Sequence, residues 1–181
     1  MHSPSEDGVV RAERQWAWVV GAAILLIMVL VIVSAVTLHI NPPSNTERAN
    51  PQTLHLSAEF TEANLGTRVE PGGQITARIV ATQFAFVPRC IVLPADTPVT
   101  LRVSSPDVVH GLLVAGTNVN TMVVPGYVAQ VHTTFRKTGD LLMPCHEYCG
   151  LGHSEMVATV RVVPKSEFRS GPDGRIACDP Q

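Results

Sequence analysis

The first change of texture along the chain comes at Ala17. From there to Leu38 no position is charged, and Val, Ile, Leu, Ala and Met dominate. As a helix rising ~1.5 Å per residue this run spans about 33 Å, enough to cross a hydrocarbon core of roughly 30 Å. Trp16 and Trp18 stand where amphipathic rings favour a membrane interface. Asn41-Pro42-Pro43-Ser44-Asn45 breaks the helix. Residues 41–73 are polar and without a sustained period, which predicts a linker, and Pro71-Gly72-Gly73 closes it. After that, short β-branched runs recur between turn residues. They cover Ile75 to Thr82, Ile91 to Leu93, Val99 to Val103, Leu112 to Val114, Val119 to Val124, Val128 to Phe135, Leu141 to Met143 and Val157 to Val163. Such spacing predicts an all-β sandwich over 74–164. The polar stretch 165–181 reads as a poorly ordered tail.

Arg11 and Arg14 precede the apolar segment, and the next Lys or Arg is Arg48. That asymmetry places residues 1–15 in the cytoplasm, a transmembrane helix over 16–40, and the rest on the periplasmic side of the cell membrane. A cleaved signal peptide is the alternative, with Val33-Ser34-Ala35 as its cleavage-like site. The apolar run is longer than a ~7–15-residue signal core, and Glu6, Asp7 and Glu13 are out of place in a signal's basic n-region. A retained anchor is the better reading.

Composition narrows the class. The chain has 181 residues, a size for one domain, and a formal charge of −2 that argues against nucleic acid as a partner. Fourteen prolines and thirteen glycines favour strands and turns over a helical bundle. Four cysteines are too few for a disulfide scaffold, and two of them stand beside a histidine and a methionine.

The chemistry gathers in Cys145 to Met156, a loop between two predicted strands. Cys149, His153 and Met156 offer a thiolate, an imidazole and a weak thioether, which suit copper. His110, after the turn at Ser105-Pro106-Asp107, is the natural second imidazole. One copper needs one thiolate. Cys145 supplies another, and two thiolates can bridge two ions and spread one electron over both. Zinc would take these Cys and His ligands but gives Met156 no role, and a Cys145–Cys149 disulfide is open to an extracytoplasmic chain.

The pattern Cys145-x-Glu147-x-Cys149-Gly150-x-x-His153-x-x-Met156, with Asp107-Val108-x-His110 upstream, resembles subunit II of haem–copper cytochrome c oxidases. The single anchor and the Tyr148-Cys149-Gly150-Leu151-Gly152-His153 run are most similar to the ba-type branch. The resemblance implies a cupredoxin-like Greek-key sandwich holding two copper ions in a mixed-valence centre. It implies that Cys145 and Cys149 bridge, that His110 and His153 each hold one ion, and that Met156 is a weak axial ligand on the His110 side. The main-chain carbonyl of Glu147 would be its counterpart on the His153 side. Its carboxylate resembles a family group that binds magnesium at the subunit I interface. Partners implied are oxidase subunit I, cytochrome c or another small electron donor, copper chaperones and the membrane. Phe84 and Phe86 resemble an electron-accepting aromatic patch, with alternating core positions as the plain alternative.

Other residues read as structural. His146 points away from Cys145 by alternation, His132 lies in a Thr-rich strand, and His39 and His55 fall at the membrane edge and in the linker. Cys90 and Cys178 depart from the family pattern, and pairing or a free Cys90 are equally open. Between residues 74 and 164, six basic and five acidic side chains leave the domain near neutral, which predicts a weakly charged or apolar docking face. Rival readings are the copper domain of nitrous oxide reductase, a copper carrier, and a quinol-oxidase subunit. A missing catalytic propeller, the tight two-thiolate ligand set, and the presence of every copper ligand argue against them in turn.

Overall fold

The computed structural model describes residues 6–37, 44–171, 175–176 and 178. It divides into two units at Pro42/Pro43. The first holds helix α1 (Glu6–Thr37), which is long and apolar enough to cross a membrane. It begins ten residues before the expected span. Acidic residues in the opening turn complement the positive helix end and extend the helix into polar sequence. The helix stop at Asn41-Pro42-Pro43 and His39 lie outside the described residues.

The second unit is a cupredoxin-like β-sandwich. Its strands are β1 (Ser44–Arg48), β2 (Gly66–Val69), β3 (Ile75–Thr82), β4 (Ala85–Val87), β5 (Cys90–Pro94), β6 (Pro98–Ser104), β7 (His110–Leu113), β8 (Asn120–Val123), β9 (Tyr127–Thr134), β10 (Gly139–Pro144), β11 (Val157–Val163) and β12 (Arg175–Ile176). One sheet runs β1-β9-β6-β3-β2-β12, with β4 on β3; a second runs β10-β11-β5, and β7-β8 forms a ribbon. Period-two alternation drives the packing. Ile75, Ala77, Ile79 and Ala81 of β3, Val99, Leu101 and Val103 of β6, and Ala158, Val160 and Val162 of β11 point into one core. Phe86 is fully buried there, so it is a core residue.

Two expectations are corrected. The segment read as a linker supplies β1 and β2 and short 3-10 turns at Pro51–Leu56 and Glu62–Asn64. Leu54 and Phe60 form a small second core with Val128. Charge fixes it as well. Arg102 of β6 binds Glu59, Glu47 (2.7 Å) and the side-chain oxygen of Gln130 (2.6 Å), while Arg78 of β3 binds Glu70 (2.6 Å). The hydrogen bond to Glu59, opposed by burial and helped by Glu47, holds the Arg102 guanidinium well above its ordinary value. Within the tail, described residues are placed against the sandwich. β12 pairs with β2, and a Cys90–Cys178 disulfide ties it to the start of β5.

Candidate metal centre

β3 and β6 run parallel, so the turn after Thr82 and the loop after Ser104 leave at the same end of the sheet. The loop between β10 and β11 reaches that end too. His110 opens β7, and an isolated bridge between Leu112 and Cys145 sets β7 beside the start of the long loop. Gly111 makes the approach feasible: a Cβ there would lie 2.8 Å from the Glu147 nitrogen and 2.6 Å from the His146 ring.

Here the sequence-predicted donors meet. Cys145 Sγ lies 3.8 Å from Cys149 Sγ. His110 Nδ1 lies 3.9 Å from Cys145 Sγ, and His153 Nδ1 lies 3.6 Å from Cys149 Sγ. Met156 Sδ is 3.7 Å from Cys149 Sγ, and the Glu147 carbonyl oxygen is 3.2 Å from Cys145 Sγ. Donors bonded to one ion at about 2.0–2.3 Å sit roughly 3–4 Å apart, so this set fits shared metal ligation. His110, Cys145, Cys149 and Met156 are all buried. The Glu147 side chain is half-buried, and only its main-chain oxygen meets a thiol.

Electrostatics orient the set. The Asp107 carboxylate meets His110 Nε2 at 2.9 Å, and a carboxylate only accepts. Nε2 therefore carries the proton, and the Nδ1 lone pair is left facing the thiols. Burial alone would raise the Asp107 pKa. The hydrogen bonds from His110, the Gln83 and Val108 main-chain N–H groups and the Thr82 hydroxyl outweigh it and hold the carboxyl well below the usual range. Burial, with Cys145 as a close neighbour, pushes the Cys149 thiol up to about 11. Without a cation the Cys149 thiol stays protonated, so metal binding there must release a proton.

The remaining candidates separate cleanly. His146 is exposed with its ring over Gly111, His132 is exposed on β9 between Thr100 and Gln130, and His55 is exposed on a 3-10 turn. Sequence reasoning missed Gln83, whose side-chain amide donates to the Cys149 carbonyl at 2.6 Å. No local signal marks it, because its partner lies 66 residues away.

A cupredoxin-like sandwich that gathers paired thiols, imidazoles and a thioether at one end defines a domain suited to a soft, redox-active metal. Residues 74–163 match the family described as cytochrome C oxidase subunit II, periplasmic domain. A cytochrome c oxidase subunit 2 of Thermus thermophilus is 30% identical over 161 residues, 87% of this chain and 95% of that protein. The chain belongs to the cytochrome c oxidase subunit II family, a component of an oxidoreductase complex. A second Thermus thermophilus subunit 2 is 34% identical over 121 residues, 67% of this chain and 90% of that protein. Among solved structures, a chain of a heme-copper terminal oxidase dimer superposes with a TM-score of 0.68 at 26% identity, covering 84% of this chain and 99% of that one.

Proposed function

We propose that the chain takes single electrons from a soluble donor, such as cytochrome c, at a dinuclear copper centre and passes them to the haem of subunit I, where oxygen is reduced to water. The observation that carries the reading is the second thiol. Two sulfurs 3.8 Å apart, with a separate imidazole nitrogen against each, exceed what one copper needs. When bound, the ions supply a one-electron carrier whose charge is spread over both. Cys145 and Cys149 would hold the ions as thiolates. His110 and His153 each present Nδ1, Met156 gives a weak thioether, and Glu147 a weak main-chain oxygen. Asp107 holds the His110 tautomer, and the buried surround keeps water out, so the ligands need not reorganise as an electron passes.

Membership of the family supports subunit I and a copper chaperone as partners. The near-neutral domain favours an apolar docking face, and Tyr148 and Leu151, the latter 96% exposed, place apolar surface on the metal loop itself. The half-buried Glu147 carboxylate is the group for a magnesium ion at the subunit I interface. Arg11 and Arg14 favour a cytoplasmic N-terminus and a periplasmic copper domain. Protease added outside spheroplasts should then cleave the domain, and its protection would reverse the orientation.

The central test is metal analysis with electron paramagnetic resonance. Two coppers per chain and hyperfine structure from one electron shared by two nuclei are expected. Cys149→Ser should abolish that signal, whereas Met156→Leu should keep copper and shift the potential. Zinc, or a one-copper pattern, would overturn the assignment.

A further inference from the structure

We propose that the Gln83-Phe84 turn is the positioning element that sets the two ligand-bearing loops against each other, an inference that rests on the copper reading above. The ligands come from separate loops: His110 from the one after β6, the others from the one before β11. Their near ends are joined by backbone, through the Leu112–Cys145 bridge and the His146 N–H donating to the Gly111 carbonyl at 3.3 Å. The far part of the long loop, Cys149 to Gly152, rests instead on the Gln83-Phe84 turn.

Three contacts make that seat. The Gln83 amide nitrogen donates to the Cys149 carbonyl at 2.6 Å. Gly150, at φ +132°, lies so close that a Cβ would come within 2.8 Å of the Phe84 ring and 3.0 Å of Gln83 Nε2. A Cβ on Gly152 would stand 2.6 Å from Phe84 Cγ. The loop backbone therefore lies directly on the turn, and two glycines are what permit it. The same turn reaches the other loop. The Gln83 main-chain N–H donates to Asp107 Oδ2 at 2.7 Å, and Asp107 Oδ1 holds His110 Nε2 at 2.9 Å. One residue thus touches the cysteine loop through its side chain and the histidine loop through its backbone.

The amide is chemically specific. Only a donor satisfies the Cys149 carbonyl, so an acidic or apolar side chain of similar size leaves it unpaired. A hydrogen bond there also draws electron density from the peptide that carries the thiolate. Losing it makes the sulfur a richer donor and favours the oxidised centre.

The test uses the full chain in detergent, as Gln83→Leu and Gln83→Glu. In the metal-free protein, hydrogen exchange is followed at the amides of His153 and Glu155, which donate to the Gly150 and Gly152 carbonyls at 3.1 Å each. Loss of one neutral hydrogen bond should speed both by about 2- to 12-fold. Core amides such as Ile79 should not change. In the copper-loaded protein both variants should retain copper, with potentials falling in the order parent, Leu, Glu. Unchanged exchange at His153 and Glu155, or acceleration shared by the core, overturns the positioning role. Because the exchange arm needs no metal, it decides this role even if the parent shows no dinuclear signal.

Discussion

Breaking the Cys90–Cys178 disulfide gives a perturbation whose size follows from the topology. The bond closes a loop of 88 residues and joins β5, which pairs with β11, to the tail strand that pairs with β2. Chain-entropy accounting over that separation gives about 4.6 kcal/mol at 25 °C. The native state recovers part of this. Among the described residues β12 is held by two register pairs and the burial of Ile176, so a released tail should fray and regain freedom. The net loss should fall to about 2–4.6 kcal/mol. At roughly 2–4 °C per kcal/mol for a chain of this size, Cys178→Ser should lower the melting midpoint by about 4–18 °C. The assay is a circular-dichroism melt of the metal-free full chain in detergent, with and without reductant. Cys90→Ser should match Cys178→Ser, and the double variant should cost no more than either, since one bond is lost in every case. Reductant should lower the parent to the variant's midpoint and leave the variant in place. A shift below about 2 °C, or additive single variants, would refute the argument.

Two further outcomes are expected. Glu59→Gln removes the main partner of Arg102, whose side chain is 15% exposed, and should destabilise the sandwich by about 1.5–3 kcal/mol in chemical denaturation. A neutral effect would mean that Glu47 and Gln130 suffice. Asp107→Asn should destabilise the metal-free domain at pH 7 by about 1.5–3 kcal/mol, the worth of hydrogen bonds to a charged acceptor. The sign of its pH dependence follows from a folded pKa held below the unfolded value of about 3.9. The carboxylate's contribution is fully present above that pH and is lost only as pH falls through the folded value. The gap between parent and variant should therefore persist from pH 8 to about 4 and close below it; closure between about pH 7 and 5 would contradict the Asp107 assignment.

Short-range pattern carried much of this protein. An uncharged apolar run fixes a membrane-length helix because burial in lipid depends only on what lies along one segment. The strands of the core were legible as short β-branched runs between turn residues, and β3 and β11 fall at the bounds those runs set. Cys145, Cys149, His153 and Met156 are legible as a set because a single loop holds them, so their spacing already limits their separation.

What the sequence left open depends on partners far along the chain. β1, β2 and β12 are short and polar, and they take structure from pairing with distant strands, helped at β1 by Arg102, which binds Glu47 and also Glu59, 43 residues away. Cys90 and Cys178 could equally pair or stay apart until β12, pairing with β2, brought the tail within reach of Cys90. Asp107 stood in a turn of the motif before His110, and nothing local marked Gln83. Both reach the candidate metal centre because β3 and β6 run parallel and end together. Such contacts are chosen by the packing of the whole core, a collective quantity that no local window of residues contains.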